Sequence, residues 1–205
     1  MSTDAATLAR TTPVLGDFPR TIDQARGRMG MICFIATEAM LFLMLFFAYF
    51  YLGHDVQHWP PEPPKLHLAL TMLAVLIASS VVLRWGEHRV KAGEVASARA
   101  ALLVTILLGV AFLVLQVFEY GDRLEHVQPT TSVYGSIFYA ITSLHGAHVA
   151  LGILMLAFVL MLPHIGETNR PPHKPMHTAA MYWHFVDIVW VFIVVFLYVL
   201  PNVHR

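Results

Sequence analysis

Apolar residues in this chain run together in five long blocks, at about residues 29–52, 66–85, 100–118, 135–162 and 179–200. Each block meets the roughly 20 residues that an α-helix needs to cross a hydrocarbon layer. The pattern predicts an all-α, polytopic membrane protein, a bundle of five transmembrane helices. The fourth block is the longest and should tilt or project beyond the bilayer. Short polar links separate the blocks, so sequence neighbours are expected to pack antiparallel. A polar segment, 1–28, precedes a single membrane domain, 29–205. The apolar block that follows this segment is too long for a signal-peptide core and lacks a cleavage site, so the N-terminus is expected to be retained. The inverted repeat that marks many transporters is absent from the sequence, and five helices divide badly into halves.

Composition agrees with that reading. The 205-residue chain is 57% hydrophobic and 13% charged, against roughly a quarter charged in soluble domains. Its formal net charge is zero, which argues against a nucleic-acid partner. Cys33 is the only cysteine, so no disulfide framework is possible; it reads as a small buried hydrophobe. Lysine and arginine orient the bundle. Arg10, Arg20, Arg26, Arg28, Arg84, Arg89, Lys91, Arg99, Arg170 and Lys174 flank one side, and Lys65, Arg123 and Arg205 the other. That asymmetry places the N-terminus inside and the C-terminus outside.

Two links carry features of their own. The first contains WPPEPP, where proline removes backbone donors and favours an extended polyproline strand on the outer surface. His54 and His58 lie in the same link at a metal-binding spacing, but a proline-rich loop suits helical presentation poorly. The inner link 86–99 mixes Glu87, Arg89, Lys91 and Glu94 and reads as a solvated helix extension.

Ionisable groups in hydrocarbon mark a site or a buried partner. Glu38 lies nine residues into the first helix, roughly 14 Å from its inner end at about 1.5 Å per residue. Near mid-bilayer it must be neutral or hydrogen-bonded, either as a proton-relay or ion site or as an acid tied to a neighbouring helix. His145 and His148 are three apart and share a face of the fourth helix, with Phe138 and Gly152. Ser136, Ala140, Ser143, Ala147 and Ala150 take the opposite side in the small-residue pattern of close packing, so this helix should be held on both sides. Paired histidines on membrane helices can ligate haem or metal. His184 and Asp187 share a face of the last helix beside Trp183 and Trp190. There a carboxylate can fix an imidazole tautomer for ligation or proton transfer, or the two can lock the helix to a neighbour. Helix depths allow Glu38, His148 and Asp187 one polar layer, and Glu38 is expected to pair with His148 first and Asp187 second. Glu119, beside Tyr120, is expected at the outer end of the third helix, as a boundary carboxylate that reaches water. No Gly-rich phosphate loop, Cys/His cluster or nucleophile with a base completes an active site.

The stretches GMICFIATEAMLF (30–42), LLGVAFLVLQVFEY (107–120), VYGSIFYAITSLHGAHVALG (133–152) and YWHFVDIVWVF (182–192) resemble, in order and spacing, the signatures of subunit III of haem–copper oxidases. The resemblance covers about 27–200. It implies a helical membrane subunit with no haem or copper of its own and no catalytic residue. Such a subunit packs against subunit I, which holds the haems and one copper centre. Subunit II holds the other copper and receives electrons from cytochrome c. It implies a complex that reduces oxygen to water and pumps protons, in which this subunit holds structural phospholipid, supports proton uptake and protects subunit I from inactivation. Glu38 matches the family's intramembrane glutamate, His145 and His148 its HGxHV motif, and His184 and Asp187 its YWHFVD motif.

The chain departs from the long form of that family, which has two more helices at its start and holds lipid in the cleft they make. It resembles the short five-helix bacterial members, which implies a bacterial cytoplasmic (inner) membrane. Related members serve quinol oxidases and nitric oxide reductases, but WPPEPP, LQVFEY and YWHFVDIVW look closer to the cytochrome c branch. Readings from other classes are a free-standing b-type cytochrome using His145, His148 and His184, and a small proton channel built on Glu38.

Overall fold

The computed structural model describes residues 20–54, 56, 59–60, 65–124, 127–130, 132–162 and 173–203. Among these residues there is no strand, and five helices are long and apolar enough to cross a membrane. α1 spans Arg20–Gly53, α2 Leu66–Lys91, α3 Val95–Leu124, α4 Val133–Met161 and α5 His173–Ile193. α5 runs on through a π-helical segment, Val194–Val199, into a short last turn, α6, Leu200–Val203.

The helices outrun the apolar blocks that specify them. α1 begins inside the polar segment, α2 continues through Arg89 to Lys91, and α3 ends at Leu124 rather than near residue 118. Once an apolar stretch has nucleated a helix, each further residue adds a hydrogen bond at little cost, and Arg, Lys, Glu and Gln propagate it well. The inner link is therefore two helix ends and a tight break. Gly93 sits at φ 81°, a conformation open to a residue without Cβ. Its N–H donates to the Val90 carbonyl at 3.1 Å, and the Glu94 N–H to the Arg89 carbonyl at 2.9 Å, which satisfies the last carbonyls of α2. The break turns α3 back on α2, and these two helices share the most extensive contact in the bundle.

α5 is the centre. It packs against α1, α2 and α4, and its Trp183, Trp190 and Tyr198 are at most 1% exposed. Trp183 fits because glycine faces it from two helices. A Cβ at Gly109 of α3 would lie 2.6 Å from Trp183 Cη2, and one at Gly152 of α4 2.8 Å from its Cε3. The indole N–H donates to Ser79 Oγ of α2 at 2.9 Å. One side chain thus joins four helices.

The faces of α4 correct one expectation. Ser132 caps its start, accepting the Gly135 N–H at 2.9 Å. Tyr134, Phe138, His145, Val149 and Gly152 point into the bundle. Ser136, Ala140, Ser143 and Ala147 are exposed, so the small-residue stripe is not covered within this chain. α1, α3 and α5 pack on the remaining faces of α4.

α1 is the loosest element. Phe42, Phe46 and Tyr49 are buried, whereas Met40, Leu43, Met44 and Phe47 are exposed. Cys33 is exposed on this outward apolar side, not buried as expected, because so little of α1 is covered. The α1–α2 link folds back at Trp59, whose ring lies 5.6 Å from Tyr49 and 5.4 Å from Tyr134. His54 is exposed, while His58 and prolines 61, 63 and 64 of WPPEPP lie outside the described residues.

The Trp183 fit is testable. Leucine at Gly109 should overpack the junction and destabilise the protein by about 1–3 kcal/mol. Leucine at Gly30, where an added Cβ meets nothing within 4 Å, should leave thermal stability in detergent near wild type. Equal midpoints for Gly109→Leu and Gly30→Leu would refute the wedge.

Candidate functional site

The intramembrane polar residues hydrogen-bond in separate clusters. Glu38 Oε2 of α1 lies 2.9 Å from His148 Nε2 of α4, the partner expected first. His148 Nδ1 lies 2.7 Å from the Leu144 carbonyl. A carbonyl only accepts, so Nδ1 carries a proton, and Glu38 and His148 share a second proton across their gap. Tyr182 closes this cluster, its hydroxyl donating to the His148 carbonyl at 3.3 Å and its ring stacking on Phe34 at 5.9 Å.

His184 and Asp187 meet on another helix. The Ser80 hydroxyl of α2 donates to Asp187 Oδ2, and Ser80 Oγ lies 2.8 Å from His184 Nδ1. A hydroxyl has one proton, so with that proton given to Asp187 the imidazole Nδ1–H must donate to Ser80. The second expected partner of Glu38, Asp187, is thus taken by α2. Among the described residues no hydrogen bond links the two clusters. At the end of the bundle nearest His184, His177 Nδ1 lies 2.9 Å from Glu87 Oε1.

Glu119 is a correction. It is 5% exposed and accepts a 2.7 Å hydrogen bond from the Tyr198 hydroxyl. Because α3 continues to Leu124, Glu119 lies more than a turn inside the helix, on the buried side with Phe112 and Gln116. The π-helical segment aims Tyr198 at it. Trp190 and Tyr198 are eight residues apart, about 80° out of phase in an unbroken α-helix. The wider π turn, with its i→i+5 bonding, removes that offset, and both side chains are 0% exposed.

His145 is fully buried. Its ring stacks on Trp190 at 4.9 Å and meets the edge of Phe112 at 5.6 Å. Although His145 and His148 share a face, they serve different neighbours. His148 is engaged at both ring nitrogens, His145 is wedged between aromatic rings, and His184 is turned to α2. Among the described residues, no group of three or more His, Cys, Asp or Glu is placed to hold a metal.

Sequence reasoning missed several partners. Ser79 and Ser80 are paired serines inside an apolar helix, a signal that was legible. Gln116 donates to the Thr142 carbonyl at 2.7 Å, and the Tyr120 hydroxyl to Thr142 Oγ1 at 2.7 Å. Gly146 makes room for Gln116, since a Cβ there would lie 2.7 Å from its Oε1.

A family model described as cytochrome c oxidase subunit III matches residues 7–201. The cytochrome c oxidase subunit 3 of Pisaster ochraceus is 37% identical over 180 residues, covering 83% of this chain and 68% of that protein. That of Anopheles gambiae is 37% identical over 196 residues, 90% and 72% of the two chains. That of Thermostichus vulcanus is 34% identical over 180 residues, 85% and 87%.

The Ser80 bridge predicts a contrast between two hydroxyls of α2. Ser80→Ala leaves a carboxylate oxygen and an imidazole nitrogen unpaired and should cost about 1–3 kcal/mol. Thr71 bonds only its own helix, at the His67 carbonyl 2.9 Å away, and Thr71→Ala should be close to neutral. Glu38→Leu, which strips His148 of its partner, should destabilise more than Glu38→Gln. Thermal unfolding of the purified protein in detergent reads all four, and equal effects of Ser80→Ala and Thr71→Ala would count against the bridge.

Proposed function

The chain belongs to the cytochrome c oxidase subunit III family, and from that premise we propose that it is the non-redox subunit that stabilises the catalytic subunit and supports its proton uptake. It is a multi-pass membrane protein and part of a multi-subunit terminal oxidase complex. In this reading the complex carries electrons from cytochrome c to oxygen and pumps protons. Haem and copper reside in subunits I and II. The chain lies in a bacterial cytoplasmic membrane with its N-terminus inside. Its basic inner flanks suit anionic phospholipid headgroups, and the uncovered faces of α1 and α3 meet the catalytic subunit.

The observation that carries this reading is the use to which the polar residues are put. Glu38, His148, His184, Asp187 and Glu119 each bond a side chain on another helix. Side chains committed to holding helices together make a scaffold, in which Glu38 against His148 ties α1 to α4. His184 and Asp187 serve as the lock of α5 on α2.

Purification in mild detergent followed by mass spectrometry should recover this chain with a haem-bearing partner, and the partner's identity separates a cytochrome c oxidase from a quinol oxidase or a nitric oxide reductase. A Soret band carried by this chain alone would overturn the proposal in favour of a b-type cytochrome. Proton conductance by the chain in liposomes, lost in Glu38→Gln, would favour a channel. Asp187→Asn should lower the yield and thermal stability of the assembled complex more than turnover per assembled complex. Intact assembly with abolished turnover would show that Asp187 is not a lock.

A further inference from the structure

Four buried polar groups lie beside one another in the bundle without a partner among the described residues. They are His184 Nε2, Asp187 Oδ1, Trp190 Nε1 and both ring nitrogens of His145. Asp187 is 8% exposed, and Trp190 and His145 are 0%. His184, Asp187 and Trp190 follow at three-residue steps on α5, so each neighbours the next along a line that winds round the helix by about 60° per step. The Trp190 ring then lies against His145, with centroids 4.9 Å apart and planes at 26°. The unpaired groups thus follow one another from the Ser80 cluster into the middle of the bundle.

Their chemistry is complementary but indirect. An indole N–H only donates, a carboxylate oxygen accepts, and a neutral imidazole needs one acceptor and one donor. With Nδ1–H of His184 donated to Ser80, its Nε2 requires a donor. Aromatic rings also pack against His145, with Phe42 at 6.4 Å and Phe112 at 5.6 Å. A water molecule both donates and accepts, and buried waters occur where two to four such groups converge. Buried polar groups are otherwise paired almost without exception.

We propose that the inner edge of α5 and the ring of His145 bind ordered water, which extends the Ser80 cluster as a short hydrogen-bonded file to mid-bundle. The file opens towards the paired His177 and Glu87, where His177 lies about two turns before His184 on α5. It ends at His145, where Phe42 and Phe112 close the far side. It is a blind, hydrated branch rather than a through-channel, and Glu38 and His148 stand outside it. This assignment rests on the geometry of one chain and is independent of the oxidase reading.

Two measurements on the protein as purified, with its partner subunits, test it. A map that resolves ordered solvent should show density within hydrogen-bonding distance of Asp187 Oδ1 and of a His145 nitrogen. Carbon atoms packed against both, or His145 bonded to a protein group, would overturn the proposal. Ultraviolet resonance Raman difference spectra, wild type minus Trp190→Phe, isolate one indole. Its N–H should be hydrogen-bonded and exchange in heavy water, and His145→Phe should move the band towards the unbonded position. An unbonded, non-exchanging indole in the wild type would equally overturn it. If Trp190→Phe does not assemble, the solvent map decides alone.

Discussion

Hydrocarbon offers a polar side chain no partner, so each one placed there must find its bond in the protein. In this bundle the bonds are made between helices. Glu38 to His148 joins α1 to α4, Ser80 to His184 and Asp187 joins α2 to α5, and Gln116 to Thr142 joins α3 to α4. Tyr198 to Glu119 joins the end of α5 to α3. Followed from one to the next, these bonds connect all five helices. Lipid tails are as apolar as leucine, so burial alone gives helices in a bilayer little reason to prefer one another. Polar pairing is what makes this arrangement specific.

Shape supplies the rest. Aromatic side chains fill the centre, and small residues on facing helices make space for them. Gly109 and Gly152 admit Trp183, and Gly146 admits Gln116. The indole that fills the gap also spends its N–H on Ser79, so a packing contact and a hydrogen bond fall on the same residue. α5 can therefore approach three neighbours closely without leaving its polar groups stranded.

The five helices and their order were legible because a bilayer demands long apolar runs, and the chain supplies five. The pairing of Glu38 with His148 was legible too, since depth along a helix follows from residue count. Other features were not. Helix ends were drawn too short, because hydropathy marks the hydrocarbon boundary while the hydrogen-bond ladder of the helix passes beyond it. That error moved Glu119 to a water-facing end when it is buried against Tyr198. The outward turn of the small residues on α4 and of Cys33 depends on which neighbours each helix has, and a single helix's pattern does not reveal that. Tyr198 reaches Glu119 through a π-helical segment that the apolar stretch VVFLYV gives no means to foresee.

α1 shows what a single polar contact does when little else holds an element. The helix has 34 residues, about 51 Å at 1.5 Å per residue, against a hydrocarbon core of about 30 Å. Its outward side is apolar along much of its length, so few protein contacts fix its register against α4. Glu38 against His148 removes that freedom, because a shift of one residue along the axis swings the carboxylate away by about 100°. The bond acts as a depth stop, deciding which stretch of α1 lies in the hydrocarbon and which projects into water.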